Sequence, residues 1–405
     1  MKSWGGGANS RRPITVGLLL FLSLGSALAQ SYRIPEIESR SAVVMDAATG
    51  HIIYDKNGGE LIPPASMTKL MTMYLVFQEI QAGRASLQEI IEPPPESWAR
   101  NQLPLSSLMG LAPGQRLSIR ELLLGMAIHS GNDAAAALAL RFAPSVASFV
   151  DRMNQTAAAM GLEHTFFVDP SGYSELNQTT AQEFAYFCRH YLTEYPRSLE
   201  DFHSVLEYAY PLAQHVAEPY RDAPETRVQR NRNSLLGQVQ GVDGLKTGSI
   251  PAAGFNIALT AERGGTRFIA VLMGAPSSPG GDRIRDEDGR RLLEWAFDEY
   301  KTLRPPLPFL EPPRVWKGRQ NSTRLIFREE PVFTVPLERG EDLLWVLDLE
   351  GPIIAPLGAF SPVGDLILYD SIGELARFRL LTAEDLERGG FFKRLFDSIR
   401  LFFQR

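Results

Sequence analysis

Residues 63–70 read PPASMTKL, and they place a serine and a lysine three positions apart immediately after two prolines. On a helix, positions i and i+3 share one face, so Ser66 and Lys69 would point in the same direction. A hydroxyl beside an amine can be a nucleophile with its base. Because Ser-x-x-Lys also arises by chance in many chains of this length, the rest of the sequence has to decide between a catalytic pair and a coincidence.

The composition is that of an ordinary globular protein. The chain has 405 residues, of which 44% are hydrophobic and 22% charged, and its formal net charge is −6. This length accommodates two or three domains, each with its own core. The acidic balance and the lack of a basic run argue against a nucleic-acid partner.

The N-terminus has the pattern of an export signal. Lys2, Arg11 and Arg12 precede the apolar stretch ITVGLLLFLSLGSALA, which ends in small residues before Gln30. We interpret residues 1–29 as a secretory signal peptide that is removed on export. The alternative is an uncleaved anchor helix, for which the stretch is short. Both the general and the twin-arginine export routes remain open.

Cysteine and histidine usage predicts neither a disulfide nor a metal site. Cys188 is the only cysteine, and it lies in a helical segment, EFAYFCRHYL, where a buried and inert thiol is expected. The six histidines show no His-Glu-x-x-His or similar ligand spacing. We therefore expect no metal and no cofactor.

Residues 30–303 indicate a first domain of mixed α and β structure. Two apolar runs within residues 41–56 flank a turn and predict a hairpin. Ser118 with Glu121, and Thr180 with Glu183, have the pattern of a capping box at a helix start. Two β-rich runs surround the turn at residues 262–265, and a helical pattern follows up to residue 303.

A proline-rich linker at residues 304–313 precedes a second domain, which we place at residues 314–388. Short β-type runs separated by Gly and Pro predict a small all-β sandwich or barrel there. Because these runs carry no catalytic pattern, we interpret this domain as a structural spacer.

Residues 389–405 form an amphipathic tail, GGFFKRLFDSIRLFFQR. Its apolar residues fall on one helical stripe, and its basic residues outnumber its single acidic residue. This pattern predicts a helix that lies in a membrane interface. The alternative is a helix that docks onto its own domain. We favour the membrane because two glycines would detach the helix from the domain before it and its charge is opposite to that of the acidic body.

Two further short motifs support a catalytic role for Ser66. Ser130-Gly131-Asn132 lies between two helical segments, and Lys246-Thr247-Gly248 lies on a β-type run. Ser-x-x-Lys, Ser-x-Asn and Lys-Thr-Gly in this order are the signature of penicillin-binding proteins and serine β-lactamases. The spacings of 64 residues from Ser66 to Ser130 and 116 from Ser130 to Lys246 suit a helical subdomain inserted between the halves of a sheet domain.

Each motif has a chemical reason. Ser66 would attack a carbonyl, and Lys69 would accept its proton if burial and the nearby Lys246 lower the lysine pKa. The backbone amides of Ser66 and Ser249 would form an oxyanion hole.

Other motif residues would bind the substrate or move protons. Ser130 would relay a proton to the leaving amine, and Asn132 would hydrogen-bond the substrate amide. Lys246 and Thr247 suit a terminal carboxylate. Gly248 would keep the strand edge free for substrate pairing.

With these motifs the chain closely resembles the low-molecular-mass penicillin-binding proteins of type five, which are serine-type D-alanyl-D-alanine carboxypeptidases. The resemblance runs from Ser41 to the end of the chain. It implies an α/β (α+β) serine β-lactamase/transpeptidase-like domain with a sheet and a helical subdomain, then a small all-β domain and the amphipathic helix. It also implies that an arginine before the last helix of the first domain holds the substrate carboxylate; Arg285 matches that position, with Arg283 as a rival.

The resemblance implies a substrate and a location. The substrate would be a peptidoglycan stem peptide ending in D-Ala-D-Ala, and β-lactams would acylate Ser66. The protein would lie at the periplasmic face of the cytoplasmic membrane, held peripherally by residues 389–405. One departure is that Ser249-Ile250-Pro251 follows Lys-Thr-Gly, where family members often carry a polar or aromatic residue and then threonine.

Three alternatives share these motifs: an endopeptidase acting on cross-links, a β-lactamase, and a non-catalytic envelope protein. A class A β-lactamase needs a deacylating glutamate in a Glu-x-x-Leu-Asn segment. Glu163 has roughly the right position but is followed by HTFF, and Glu175-Leu176-Asn177 lacks the spacing. The sequence therefore favours the carboxypeptidase.

Overall fold

The computed structural model describes residues 34–216, 225–328 and 330–403. The signal peptide expected over residues 1–29 lies outside them. The helices are α1 (Lys69–Gln81), α2 (Ile119–His129), α3 (Asn132–Phe142), α4 (Val146–Ala159), α5 (Ala181–Glu194), α6 (Gly281–Glu299) and α7 (Phe391–Phe403). The strands are β1 (Ser41–Asp46), β2 (Ile52–Lys56), β3 (Ile90–Ile91), β4 (Leu117–Ser118), β5 (Glu207–Tyr210), β6 (Arg227–Arg230), β7 (Val242–Ile250), β8 (Gly254–Arg263), β9 (Thr266–Ala275), β10 (Tyr300–Leu303), β11 (Val315–Trp316), β12 (Leu325–Ile326), β13 (Phe333–Pro336), β14 (Leu344–Leu349), β15 (Ile353–Ile354), β16 (Pro362–Tyr369) and β17 (Glu374–Thr382).

A five-stranded antiparallel sheet forms the centre of the N-terminal part of the described chain, in the order β2-β1-β9-β8-β7. The predicted hairpin over residues 41–56 is confirmed as β1 and β2, with Ala42 opposite Lys56. The predicted strand pair around residues 262–265 is confirmed as β8 and β9. Strand β7, which carries Lys-Thr-Gly, lies at the edge of this sheet, so one side of it is free to meet other groups.

Alternate residues of the central strands bury on opposite faces of the sheet. Val43 and Met45 join the larger core with the helices of the chain segment between β2 and β7. Ala42 and Val44 join a second core with α6, which packs against β8 and β9. The helices therefore cover the sheet on both sides, and α1 to α5 lie between its two halves in sequence.

The helix starts follow the predicted caps, with one difference. Ser118 and Glu121 form a full capping box, in which Ser118 Oγ accepts from Glu121 N at 3.2 Å and Glu121 Oε2 accepts from Ser118 N at 2.8 Å. At α5 only half of the predicted box forms, with Thr180 Oγ1 accepting from Glu183 N at 3.1 Å. The Glu183 carboxylate instead accepts from Thr165 Oγ1 at 2.6 Å, because the loop before the helix offers it a nearby donor.

The second, β-rich part of the chain contains a four-stranded antiparallel sheet in the order β12-β17-β16-β14. Its core includes Val315, Leu366 and Leu380. Strand β10 directly follows α6 and pairs with β13 of this part. Asp46 in β1 accepts hydrogen bonds from Thr302 Oγ1 at 2.8 Å and Thr334 Oγ1 at 2.9 Å, so the two parts share hydrogen bonds as well as a strand pair.

The C-terminal helix α7 is attached through its acidic residue and exposes its apolar face. Asp397 is buried and accepts from Lys317 N at 2.7 Å and Arg314 Nη2 at 3.2 Å. Gly389 does not detach the helix as we expected, because its N–H donates to Lys317 O at 2.8 Å. The exposed apolar side chains are Phe391, Phe392, Leu395, Phe396, Ile399, Phe402 and Phe403. In the described part of the chain no single helix is long and apolar enough to span a membrane, and α3 and α4 reach that length and composition only as a pair bent by 87°.

Candidate active site

Ser66 lies in a tight turn, Ala65–Thr68, that leads directly into α1. Ala65 has a φ of 51°, a left-handed conformation that is uncommon for alanine. Two glycines let backbone approach this turn closely. A Cβ at Gly172 would lie 1.8 Å from Ala65 O, and one at Gly248 would lie 2.6 Å from Pro64 O and 3.0 Å from Ser66 N. Gly248 thus has a role beyond the clear strand edge that we expected: it allows β7 to pack against the Ser66 turn.

Lys69 is fully buried and its amine is surrounded by oxygen atoms. Its Nζ lies 2.7 Å from Asn132 Oδ1, 2.6 Å from Ser171 O and 3.1 Å from Ser66 Oγ. Both carbonyl oxygens can only accept hydrogen bonds, so each accepts one from an N–H group of the Lys69 amine. A neutral amine then has its lone pair left for the Ser66 hydroxyl, which is the arrangement of a nucleophile and its base.

Burial is the main reason why the pKa of Lys69 falls to about 7. The negative charge of Asp169 opposes this shift and the positive charge of Arg232 supports it. At neutral pH a large fraction of Lys69 is therefore without its proton, which removes the usual objection to lysine as a base.

The loop at residues 169–174, which the sequence analysis did not single out, supplies the Ser171 carbonyl. Asp169 fixes this loop by accepting from Ser171 N at 2.8 Å, Gly172 N at 2.7 Å and Ser174 N at 2.9 Å. Asp169-Pro170-Ser171-Gly172 contains the residue types that favour turns. The turn was therefore readable, but nothing in the sequence connects it to Lys69.

Ser130 and Asn132 lie beside Ser66, at the break between α2 and α3. Ser130 adopts a left-handed φ of 66° at the end of α2. Its Oγ is buried and has no hydrogen-bond partner among the described residues. A buried hydroxyl without a partner is costly, and beside Ser66 it is available to a substrate or a proton. Asn132 is committed to Lys69 through Oδ1.

One end of the cleft is cationic. Its cavity, of about 330 Å³, is lined by Ser66, Ser107, Ser130, Arg232, Thr247, Gly248, Ser249, Phe255, Asp282 and Arg285. Beside it Lys246 is buried and donates to Thr247 O at 2.9 Å. Burial, reinforced by Lys69 and Arg232, holds the pKa of Lys246 well below its usual value.

Of the two candidate arginines, only Arg285 lines this cavity. It also donates to Asp286 Oδ1 at 2.7 Å from Nε and 2.5 Å from Nη2. Arg283 lies instead in a separate cavity beside Glu38 and Asp288. Arg232 was missed by the sequence analysis because no motif marks it.

A second cavity of about 590 Å³ adjoins Ser66 on the opposite side. Its lining combines apolar side chains with several serines, and consists of Ser66, Leu103, Leu105, Ser106, Ser107, Asn132, Gly172, Tyr173, Ser174, Glu175, Ser249, Ile250, Pro251 and Ala252. A wider cavity of about 750 Å³ near His164 and Glu183 does not contain Ser66 or its partners. Within the described ranges no group of three or more His, Cys, Asp or Glu side chains is arranged to hold a metal ion.

The chain is similar to known D-alanyl-D-alanine carboxypeptidases over most of its length. A family model described as D-alanyl-D-alanine carboxypeptidase matches residues 28–277. The chain is 33% identical over 401 residues to the D-alanyl-D-alanine carboxypeptidase DacD of Escherichia coli, with 96% of this chain and 98% of the relative covered. It is 31% identical over 395 residues to DacC of the same organism, with 96% and 94% covered. The structure of penicillin binding protein 5 from Haemophilus influenzae matches with a TM-score of 0.75 and 27% identity, covering 88% of this chain and 99% of that one. The chain belongs to the D-alanyl-D-alanine carboxypeptidase family.

Proposed function

We propose that this protein is a serine-type D-alanyl-D-alanine carboxypeptidase that removes the terminal D-alanine from peptidoglycan stem peptides through an acyl-enzyme on Ser66. The observation that carries the proposal is the buried Lys69 amine, whose pKa is about 7 and which lies 3.1 Å from Ser66 Oγ. A neutral amine at this distance can take the serine proton directly.

The first half-reaction forms the acyl-enzyme. Ser66 Oγ attacks the carbonyl of the penultimate D-alanine while its proton passes to Lys69. The backbone amides of Ser66 and Ser249 stabilise the negative charge that develops on the carbonyl oxygen; the close packing of Gly248 on the Ser66 turn supports their proximity. The C–N bond then breaks, and the Ser130 hydroxyl passes a proton from Lys69 to the leaving amine.

The second half-reaction hydrolyses the ester. Water attacks the acyl carbon, Lys69 takes a proton from it, and the Ser66 oxygen leaves and regains a proton. The shortened peptide is released. A β-lactam forms the same ester, but its broken amide stays tethered to the acyl group, so the leaving amine does not depart.

The substrate carboxylate has a matching site at the cationic end of the cleft. Arg232 and Arg285 line that cavity, and Thr247 offers a hydroxyl beside the buried Lys246. An arginine fork suits a planar carboxylate. With the carboxylate at this end, the scissile carbonyl falls at Ser66, and Asn132 lies beside the amide of the acyl donor.

The β-lactamase alternative lacks a glutamate in the Glu-x-x-Leu-Asn pattern that its class A form needs. Glu163 is exposed and lines neither cavity beside Ser66. The chain segment that approaches Lys69 presents the Ser171 main-chain carbonyl, which cannot act as a base. An endopeptidase would use the same catalytic residues to cleave cross-links, with a larger leaving amine. The experiment must therefore distinguish endopeptidase from carboxypeptidase activity.

The test is release of free D-alanine by the purified chain without residues 1–29. We expect release from a peptide ending in D-Ala-D-Ala and none from Ser66→Ala, with a cross-linked dimer peptide as the endopeptidase arm. Release of D-alanine by both the parent and Ser66→Ala would show that Ser66 is not the nucleophile. Cleavage of the dimer alone would replace the carboxypeptidase with an endopeptidase.

The proposal includes a location at the periplasmic face of the cytoplasmic membrane. The exposed phenylalanine face of α7 supports it, as do Lys393, Arg394 and Arg400, which suit anionic headgroups. Deleting residues 389–405, or substituting Phe396→Glu, should move the protein from the membrane to the soluble fraction. A deletion variant that still sediments with membranes would contradict this part.

A further inference from the structure

The cleft is electrically asymmetric about Ser66. Three residues, Ser66, Ser107 and Ser249, line both of its cavities, so the two spaces meet at the nucleophile. The cavity towards α6 carries Arg232 and Arg285 with Asp282. The opposite cavity contains no cationic side chain in its lining. Glu175 is its one carboxylate.

The Glu175 carboxylate is free and its backbone is held in place. No hydrogen bond or ion pair joins Glu175 to any other described residue, and the residue is exposed. On its N-terminal side, Ser174 N donates to Asp169 Oδ2 at 2.9 Å. On its C-terminal side, Leu176 N donates to Ser174 Oγ at 3.2 Å. Asn177 Nδ2 donates to Asp169 Oδ2 at 2.7 Å. The Glu175 carboxylate therefore lies beside the cleft on a turn that hydrogen bonds hold in place, and it forms no ion pair or hydrogen bond with another described residue.

Several apolar side chains line the same cavity as Glu175, beside the serines of its lining. Leu103 and Leu105 line the cavity, and so do Ile250, the last residue of β7, and Pro251, which follows it. Tyr173 joins them, since its hydroxyl donates to Pro104 O at 3.2 Å. Apolar side chains with one carboxylate suit an aliphatic side chain that ends in an ammonium group.

We infer that Glu175 selects acyl-donor peptides in which the residue before D-Ala-D-Ala carries a free amine at the end of an aliphatic side chain. This inference rests on the proposed function. With the terminal carboxylate at the arginine end and the scissile carbonyl at Ser66, the residue that precedes the penultimate D-alanine lies on the other side of Ser66. An extended residue advances the chain by about 3.3–3.6 Å, which places that residue in the cavity that Glu175 lines.

The test compares two peptides with two matched variants. The peptides are Nα-acetyl-L-Lys-D-Ala-D-Ala, whose side-chain amine is free, and its Nε-acetylated form. For each protein we take the ratio of kcat/KM for the free amine to kcat/KM for the acetylated peptide. Glu175→Gln is compared with Glu163→Gln, a control at another exposed glutamate that lines neither cavity.

We expect Glu175→Gln to lower this ratio about two- to fivefold, the range for an exposed ion pair. Glu163→Gln should leave the ratio unchanged, and added salt should reduce the preference of the parent. A change in folding alone would affect both peptides together and leave the ratio unaltered. An adduct with benzylpenicillin, seen by intact mass, shows that Glu175→Gln still folds.

The outcomes separate the two proposals. Release from both peptides with the same ratio in the parent and in Glu175→Gln would overturn this inference and leave the carboxypeptidase intact. No release from either peptide by the parent would overturn the proposed function, and this inference with it.

Discussion

Gly248→Ala tests whether β7 must touch the Ser66 turn. A Cβ at this position would lie 2.6 Å from Pro64 O, 3.0 Å from Ser66 N and 3.1 Å from Met67 N, whereas ordinary contact begins at 3.4 Å. The difference from 2.6 to 3.4 Å requires a backbone separation of about 0.8 Å. All three neighbours are backbone atoms, so no flexible side chain can yield.

This displacement should act on the reaction more than on the fold. It moves the Ser249 amide relative to the Ser66 oxygen, and a misplacement of about 1 Å can cost about 100-fold in rate. The overpacked site should also lower the free energy of unfolding by about 1–3 kcal/mol. We expect the second-order rate constant for acylation by benzylpenicillin, followed by intact mass, to fall about 100-fold while a cooperative thermal transition remains.

Gly59→Ala is the matched control. A Cβ there meets nothing within 4 Å and its φ is not left-handed, so acylation should stay at the parental rate. An acylation rate for Gly248→Ala within about threefold of the parent would refute the reasoning, since it would show that the contact between β7 and the Ser66 turn does not position the reacting groups.

Three further predictions concern a titration, a helix and a thiol. The acylation rate should rise with pH through a midpoint at about pH 7 and then level off, because Lys69 must lose its proton. In Arg232→Gln the midpoint should move to higher pH, since that cation lowers the pKa of Lys69, and an unmoved midpoint would exclude the coupling. Asp397→Ala should free α7 and raise its rate of limited proteolysis. Glu384→Ala should not, because Glu384 is exposed and forms no ion pair or hydrogen bond with another described residue; equal rates for both variants would contradict the attachment. Cys188 is buried, which raises the pKa of its thiol, so it should react with a thiol reagent only after unfolding; fast labelling of the folded protein would contradict this.

The parts of the fold that the sequence predicted are those with a local signal. The hairpin of β1 and β2 and the pair of β8 and β9 follow from apolar runs around turns. The Ser118 cap at α2 follows from a pattern within four residues. The three motifs were recognisable because each is short, and their order is the signature shared by penicillin-binding proteins and serine β-lactamases.

The partners of Lys69 could not be predicted in full, because one of them has no side-chain signature. Ser171 contributes its main-chain carbonyl, 102 positions along the chain from Lys69. Any residue type offers such an oxygen, so only the fold identifies it. Arg232 was missed for a related reason, since it is one of several arginines in its segment and its place in the cleft depends on long-range packing.

The orientation of α7 was also beyond the sequence. Its apolar stripe and basic residues were evident, but the helix attaches through Asp397, its one acidic residue, and not through its phenylalanines. Helical periodicity identifies two faces. The face of α7 that contacts the rest of the protein is determined by Lys317 N and Arg314, which the fold brings next to Asp397.

The central claim is that Ser66 is the residue that becomes acylated. The most direct measurement is peptide mapping by mass spectrometry after a brief reaction of the purified chain with benzylpenicillin, beside Ser66→Ala. We predict one added penicilloyl mass, located on the peptide that contains Ser66 and absent from the variant. A penicilloyl mass on Ser130 or on any other residue of the parent would contradict the claim.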